Sequence, residues 1–270
     1  MPRLGIIAGG GALPQKLIEA CKRDGRDFFV LGFKGQTEET LVTGVPHAWT
    51  RLGATNAAID ILKKHGVDTL VMAGAMRRPS LVELRPDWRT VRVFAKLGKK
   101  AFGDDALLRA VAGELEGEGF QMVGAHEIEP ALIVGEGVLG TVQPLPEHMA
   151  DINKGVQVAK QLGAMDVGQA AVVQEGIVLG VEAIEGTDAL IKRCKPLARK
   201  GRGGVLVKCC KPQQDKRMDL PAIGQRTVRN AHEAGLAGIA VEAGASIILD
   251  CAAVTKAADK LGLFILGVTP

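Results

Sequence analysis

The chain has 270 residues, with 34 basic and 30 acidic side chains and a formal net charge of +4, a balance that argues against a dedicated DNA-binding protein. Two tryptophans, seven phenylalanines and no tyrosine are too few for the stacking surfaces that bind single-stranded nucleic acid, so no nucleic-acid partner is predicted. Five cysteines without a Cys-x-x-Cys pair, and no uncharged stretch longer than Leu4 to Gln15, indicate a cytoplasmic protein that does not span a membrane.

The first half of the chain alternates short apolar runs with segments of helical periodicity. The first run, 4–8, stops at three glycines and is followed by apolar residues at helical spacing over 13–21. Further strands are predicted at 28–32, 69–74 and 121–123, and further helices at 55–65 and 106–118. This alternation is typical of a parallel sheet with helices on both faces, a Rossmann-like arrangement.

The second half begins where Pro144-Leu145-Pro146 interrupts the pattern. A helix is predicted at about 152–162, a hairpin at 170–183 with its turn at Glu175-Gly176, and a strand at 205–208. Two helix–strand pairs follow, at 227–241 and 254–266. We therefore predict an α/β protein of two α/β domains without internal repeats: residues 1–145, a linker helix at 146–165, and residues 166–270.

The glycines after the first strand predict a phosphate site. Backbone N–H groups of Gly10, Gly11, Ala12 and Leu13 would meet a phosphate at the positive end of the helix. A nicotinamide dinucleotide is disfavoured, because Pro14 replaces the third glycine of its fingerprint and 31–34 supply no acid for a ribose. The sequence leaves two alternatives: the loop binds a nucleotide or sugar phosphate, or it is a purely structural turn.

Two groups of carboxylates are candidate metal ligands or bases. Asp104 and Asp105 precede a predicted helix, where they could hold Mg²⁺ or simply cap the helix, and the sequence leaves both open. The second group, 182–188, places three carboxylates and the hydroxyl of Thr187 around a glycine turn after a strand. Its last member, Asp188, could equally cap the next helix.

A further candidate, Asp219, follows a run of basic residues that would keep its carboxylate ionised, which suits metal-assisted phosphate chemistry. The alternative is that Asp219 only forms a turn before Pro221.

His148 and Asp151 lie three residues apart, a helical spacing. This spacing is compatible with a metal-binding or proton-transfer pair, and equally with a polar start of a helix. The adjacent Cys209 and Cys210 are not expected to be catalytic.

Positive charge is concentrated in two segments. Residues 77–100 carry eight basic side chains against two acidic ones, and residues 192–217 carry ten against one. Such segments suit a polyanionic ligand or an anionic membrane surface, although solvated helix faces and loops would have the same composition.

These motifs resemble the UDP-2,3-diacylglucosamine pyrophosphatases of lipid A biosynthesis, in the family distinct from the calcineurin-like enzyme. The resemblance covers essentially the whole chain, and two departures are Cys209-Cys210, where small apolar residues are more usual, and the loop at 195–203. The matching stretches are GGGALP (9–14), GDDALLR (103–109), GAHEI (124–128), PEHMADI (146–152), DVGQAAVVQEGIVLGVEAIEGTDAL (166–190), VLVKCCKP (205–212), DLPAIG (219–224), GLAGIAVEAG (235–244) and LGLFILG (261–267).

The resemblance implies a hydrolase that cleaves UDP-2,3-diacylglucosamine into UMP and lipid X (2,3-diacylglucosamine 1-phosphate). It also implies a Mg²⁺ cofactor and a substrate lying between two domains, with the nucleotide toward the glycine loop and the acylated sugar toward the C-terminal half. The aspartate of the DLP motif, Asp219, is the expected essential residue and, with Asp105, the expected metal ligand. Asp104, Asp105 and Asp188 are further catalytic candidates. The binding candidates are Gly10, Gly11, Ala12, Leu13, Arg77, His148, Gln169, Thr187 and Lys208.

An acylated substrate lies in a bilayer, so we expect the protein to be cytoplasmic and peripheral to the inner membrane, docking at its inner leaflet. One candidate docking face consists of Arg85, Trp88, Arg89, Arg92 and Lys96. Two rival classes are a nicotinamide-dependent oxidoreductase, disfavoured by Lys34, and a non-catalytic UDP-sugar or lipid-binding protein, which would not need Asp219. The sequence leaves the oligomeric state open, with a homo-oligomer compatible.

Overall fold

The computed structural model describes residues 2–77, 84–97 and 104–270, without the side chains of Lys96, Leu97, Asp104 and Asp105. The chain forms two compact units. Unit 1 comprises residues 1–130 and the short segment Asp215–Asp219, and unit 2 comprises Ala131–Gln214 and Leu220–Pro270. No described helix is both long and apolar enough to cross a bilayer.

Unit 1 is built on a five-stranded parallel sheet in the order β3-β2-β1-β4-β5. Its helices belong to the same β–α succession that the sequence predicts. The strands are β1 (Arg3–Ala8), β2 (Phe28–Phe33), β3 (His47–Thr50), β4 (Val67–Ala73) and β5 (Gln121–Val123), and the helices are α1 (Ala12–Arg23), α2 (Thr55–Lys64), α3 (Trp88–Leu97), α4 (Asp104–Gly117) and α5 (Ala125–Ile128), with 3₁₀ turns at Glu39–Val42 and Pro130–Leu132.

The core of unit 1 is made by apolar side chains of these strands and helices, among them Phe29, Leu70 and Phe120. It also contains Met218, which is 6% exposed and comes from the segment Asp215–Asp219 of the second half of the chain. Burial of this one methionine anchors the short segment in unit 1.

Unit 2 contains a six-stranded mixed sheet in the order β6-β13-β11-β9-β7-β8, together with a two-stranded parallel pair, β10-β12. Strands β9, β11 and β13 run parallel to one another, and β6 and β7 are antiparallel to their neighbours. The strands are β6 (Gly137–Leu139), β7 (Ala170–Gln174), β8 (Ile177–Val181), β9 (Val205–Lys208), β10 (Ala222–Ile223), β11 (Gly238–Glu242), β12 (Ile247–Ile248) and β13 (Phe264–Val268).

The helices of unit 2 pack against this sheet and against one another. They are α6 (Pro146–Ala164), α7 (Thr187–Cys194), α8 (Gln225–Glu233) and α9 (Cys251–Leu261), with a 3₁₀ turn at Lys195–Leu197. From the sequence we predicted a linker helix at 146–165. In the structure, Ile152 and Ala159 of α6 are buried in a core with Val207 of unit 2. At Gly155 the helix approaches the sheet so closely that a Cβ would lie 2.4 Å from Val207 Cγ2.

The predicted α/β class and the parallel sheet of the first half are confirmed. Helix α6 begins at Pro146, where the predicted linker helix of 146–165 begins, and so extends N-terminal to the periodic stretch predicted at about 152–162. Proline is well suited to the first helical position, and His148 Nδ1 accepts a hydrogen bond from the Leu145 N–H at 3.1 Å. The short strands β3, β6, β10 and β12 were not predicted from the sequence.

Candidate active site

The glycine loop of unit 1 joins the carboxyl ends of β1 and β4. Gly9 N–H donates to Ala73 O at 2.7 Å, and Gly10 and Ala75 exchange two backbone hydrogen bonds of 2.8 and 3.0 Å. Gly74 has φ of +89°, and a Cβ there would lie 2.5 Å from Gly10 O. Glycine is therefore required where the two loops cross.

This geometry gives Gly10 a different role from the other predicted phosphate-binding residues of the loop. The N–H and C=O of Gly10 are both bonded to Ala75, so they hold the loop together and are not aimed at a ligand. Gly11 and Ala12 are exposed and Leu13 is half-buried, at the start of α1, where Gly11 offers no side-chain cap. The first amides of a helix have no partner within the helix, so these three positions present backbone donors at the start of α1.

Arg77 is held at the same edge of unit 1. The Gln36 side chain clasps its backbone, because Nε2 donates to Arg77 O at 3.1 Å and Oε1 accepts from Arg77 N–H at 2.7 Å. Gln36 O in turn lies 3.2 Å from where a Cβ on Gly10 would be. The structure thus brings Arg77, which is exposed, to the loop that carries Gly11 and Ala12.

Asp219 ends the segment that packs in unit 1. It is exposed, and its N–H donates to Asp215 O at 3.3 Å. Asp215 binds the Arg217 guanidinium at 2.7 Å, and hydrogen bonds from Arg217 lower the pKa of the Asp215 carboxyl despite its partial burial. Arg217 also reaches Glu116 at 2.8 Å. An ion-paired turn beside buried Met218 therefore fixes the backbone that presents Asp219.

The predicted metal ligands are only partly described. Helix α4 begins at Asp104, and the side chains of Asp104 and Asp105 lie outside the described residues. Within the described residues no group of three or more His, Cys, Asp or Glu side chains is placed so that it could hold a metal ion. Mg²⁺ is commonly held by one or two carboxylates together with waters and substrate phosphates, so an exposed carboxylate such as that of Asp219 fits this ion.

Three predicted binding residues meet at the carboxyl edge of the unit 2 sheet. Lys208, at the end of β9, is 7% exposed, and its Nζ donates to Thr187 Oγ1 at 3.0 Å and to Ala222 O at 3.2 Å. Thr187 Oγ1 donates to Glu182 Oε1 at 2.6 Å, and Gln169 N–H donates to Glu182 Oε2 at 3.2 Å. Gln169 Oε1 is buried and has no hydrogen-bond partner among the described residues.

Asp188 has a different role from its neighbour Thr187. Its carboxylate accepts a hydrogen bond from Asn230 Nδ2 at 2.8 Å and pairs with Arg226 Nε at 2.7 Å. Both partners lie on α8, so Asp188 ties α7 to α8. The structure gives it no bond to Lys208 or Glu182 among the described contacts.

A second buried carboxylate at this edge is that of Glu242, which was not predicted from the sequence. It ends β11, is 8% exposed, and binds Lys160 Nζ at 2.7 Å and Cys210 N–H at 2.9 Å. Burial and the Glu242 charge raise the pKa of the Cys209 thiol to about 12, which keeps it protonated at neutral pH. The sequence feature that could have indicated Glu242 is its position directly after the apolar run 238–241.

His148 and Asp151 lie at the opposite edge of the same sheet. The His148 ring packs 5.3 Å from Phe264, the first residue of β13, and His148 is 4% exposed. Asp151 is fully buried and accepts from the N–H groups of Glu175 and Gly176 at the hairpin turn, at 3.0 and 2.6 Å. The structure therefore places His148 away from Lys208 and gives both residues structural contacts.

Many cations of the two basic segments are engaged within the protein. Arg89 of the predicted docking face is only 19% exposed in its side chain and pairs with Glu114 and Glu118, so it does not belong to an open face. The Lys96 side chain lies outside the described part. In the second segment, ion pairs bind Arg193, Arg199, Arg202, Lys211 and Arg217. These cations are therefore paired with carboxylates of the protein itself.

The fold and these edges define an α/β protein of two units, each with polar groups gathered where parallel strands end. Two family models match it, one described as the LpxI N-terminal domain over residues 3–132 and one as the LpxI C-terminal domain over residues 135–266. The UDP-2,3-diacylglucosamine pyrophosphatase LpxI of Caulobacter vibrioides is 46% identical over 277 residues, covering 100% of this chain and 99% of that protein. The chain belongs to the LpxI family, as its motifs indicated.

Two solved structures show a distant resemblance to the chain. CobK precorrin-6A reductase is 12% identical, covers 100% of this chain and 90% of its own, and has a TM-score of 0.34. The biotin carboxylase subunit of pyruvate carboxylase is 16% identical over 64% of this chain and 35% of its own, with a TM-score of 0.27. Neither likeness carries information about function.

The burial of His148 predicts a pH-dependent stability. Burial is the main cause that lowers the pKa of His148, and the positive charge of Arg202 lowers it further. In the unfolded chain the pKa of a histidine is about 6.5. Below that pH the unfolded chain takes up a proton that the folded chain resists, so stability falls by at most about 1.4 kcal/mol per pH unit.

We expect His148→Asn to lack the part of the acid-dependent destabilisation that His148 causes. The asparagine side-chain oxygen can still accept a hydrogen bond from the Leu145 N–H. Urea unfolding at pH 7.5, 6.5 and 5.5 should give a shallower acid decline for the variant than for the wild type. Parallel declines for the two proteins would show that His148 does not titrate as described.

Proposed function

We propose that this chain is a UDP-2,3-diacylglucosamine pyrophosphatase, which adds water across the pyrophosphate bond and releases UMP and 2,3-diacylglucosamine 1-phosphate. The observation that carries the proposal is the 46% identity, over the whole chain, to a protein of that name. The polar edges of both units supply the chemistry that such a reaction requires. One P–O bond of the bridge breaks, one forms to the water oxygen, and the water protons pass to the products or to a base.

Each unit, taken by itself, contains donors suited to phosphate oxygens. In unit 1 the amides of Gly11, Ala12 and Leu13 receive the nucleotide phosphate, with Arg77 as a nearby cation. In unit 2 Lys208 has three N–H donors, of which two are bonded to Thr187 and Ala222, leaving one for a phosphate oxygen. Donors fixed before the reaction stabilise the charge that develops in the transition state.

Asp219 is the proposed catalytic residue, which orients the attacking water and accepts its proton. Its carboxylate is exposed, and the Arg217–Asp215 pair and buried Met218 hold its backbone. Asp219, with Asp105, would also hold Mg²⁺. When bound, this ion would neutralise pyrophosphate charge and polarise the phosphoryl oxygens.

The test of this proposal is UMP release from UDP-2,3-diacylglucosamine in detergent micelles, with and without Mg²⁺. We expect Mg²⁺-dependent release by the wild type and a loss of about a thousandfold or more in kcat for Asp219→Asn, since the amide cannot accept the proton. The control is Asp24→Asn, the same change at a surface residue paired with Arg23, which should retain full activity. Full activity of Asp219→Asn would contradict its role, and a wild type that never releases UMP would contradict the proposed function.

We also propose that the protein docks on anionic membranes through the exposed side of α3, since its substrate is acylated. Trp88 is 61% and Val91 51% exposed, and Arg85 and Arg92 are exposed beside them. Cations next to exposed apolar side chains favour binding to a surface of anionic lipids.

Co-sedimentation with phosphatidylglycerol vesicles tests this docking face. The double variant Trp88→Ala/Arg92→Glu should bind about tenfold more weakly, from the lost apolar contact and the reversed charge. The control is Lys256→Glu, the same size of charge change at an exposed residue of α9, which should bind almost as well as the wild type. Equal losses for both variants would indicate a general charge effect and would contradict a specific face.

A further inference from the structure

The turn between β8 and α7 contains three carboxylates, and they have different surroundings. Glu182 is 6% exposed, at the carboxyl edge of the sheet. Glu185 is exposed and pairs with Arg193 at 2.8 Å, and Asp188 is bound to α8. Of the three, Glu182 alone is joined to Lys208 through hydrogen bonds, by way of Thr187.

The hydrogen bonds of Glu182 have a fixed direction. A carboxylate can only accept, and Thr187 has one hydroxyl hydrogen, which it donates to Glu182 Oε1 at 2.6 Å. The lone pairs of Thr187 Oγ1 are then left to accept from Lys208 Nζ at 3.0 Å. Gln169 N–H holds the other carboxylate oxygen at 3.2 Å, so the Glu182 carboxylate is itself held in place.

Lys208 depends on this chain of bonds for its orientation. Lys208 is buried, with 7% of the residue exposed, and within the described ranges it makes no direct ion pair. Its acceptors are the neutral Thr187 hydroxyl and the Ala222 carbonyl, the latter three residues after Asp219 in the sequence. A buried cation is costly unless a negative charge compensates it, and Glu182 supplies that charge through Thr187.

We infer that Glu182 is a positioning residue, which acts through the Thr187 hydroxyl to direct the third N–H of Lys208 toward a phosphate oxygen of the substrate. This inference rests on the proposed function, in which Lys208 contacts the pyrophosphate. Without the carboxylate, the Thr187 hydroxyl can rotate and donate elsewhere, and Lys208 loses an acceptor that fixes its geometry.

The first variant is Glu182→Gln, which keeps the size of the side chain. Its amide can donate to Thr187 Oγ1 and thereby turn the hydroxyl hydrogen toward Lys208, where two donors would face each other. We expect kcat/KM for UMP release to fall about tenfold to a hundredfold, the range typical when a group that orients a functional side chain is removed. Glu185→Gln, three residues away in the same turn, is the matched control and should stay within about twofold of the wild type.

A second pair of variants tests the route through Thr187. Thr187→Val removes the hydroxyl at nearly constant shape and should lose as much activity as Glu182→Gln, whereas Thr187→Ser should retain most of it. The double variant Glu182→Gln/Thr187→Val should be no worse than Thr187→Val alone, because both changes break the same chain of bonds. A merely structural role for Glu182 would not produce rescue by serine together with non-additive losses.

The outcomes separate this inference from the proposed function. Activity of the wild type with undiminished kcat/KM in Glu182→Gln, or with losses that multiply in the double variant, would overturn the positioning role and leave the hydrolase intact. Absence of UMP release by the wild type would overturn both. If Glu182→Gln lowers the urea midpoint of unfolding, the comparison of Thr187→Val with Thr187→Ser decides on its own.

Discussion

The buried ammonium of Lys208 is the constraint on which the arrangement of unit 2 depends. Removing an ammonium from water costs several kcal/mol unless bonds and charge compensate it. Strand β9 places it at the carboxyl edge, where Thr187 and Ala222 accept its protons and Glu182 compensates its charge through Thr187. The start of α7, the start of β10 and the end of β8 must all meet at this point. A donor held this rigidly is suited to a phosphate oxygen, because no reorganisation is needed when the ligand arrives.

Unit 1 meets the same chemical need by a different route. Among the described residues of unit 1 no lysine is buried, and its glycine loop instead presents the N–H groups of Gly11, Ala12 and Leu13 at the start of α1. The bonds between Gly10 and Ala75 hold that loop against β4, so the helix start is fixed by backbone alone. Asp219 is presented by a short segment that depends on Met218 and the Arg217–Asp215 pair. The helix amides of unit 1 and the Lys208 ammonium of unit 2 are each suited to phosphate oxygens.

Much of this fold follows from periodicity, because buried parallel strands are continuous apolar runs and their helices are amphipathic. The strand–glycine–helix start of unit 1 and the Glu175-Gly176 hairpin are both confirmed. Short edge strands such as β3 and β6 carry too few apolar residues for that signal. Side-chain contacts were harder to predict, because the spacing of His148 and Asp151 does not reveal that Asp151 binds the hairpin turn and that His148 packs against Phe264. Likewise, no local pattern indicates that Met218 is buried in the core of unit 1, or that Glu242 binds Lys160.

The central claim is that Lys208 holds a phosphate oxygen during cleavage, and Lys208→Met tests it most directly, since methionine keeps much of the length without the charge. We predict that kcat/KM for UMP release from UDP-2,3-diacylglucosamine falls about a hundredfold or more. Lys192→Met, at an exposed lysine of α7, should leave it unchanged. A folded Lys208→Met protein that cleaves the substrate as fast as the wild type would contradict the account.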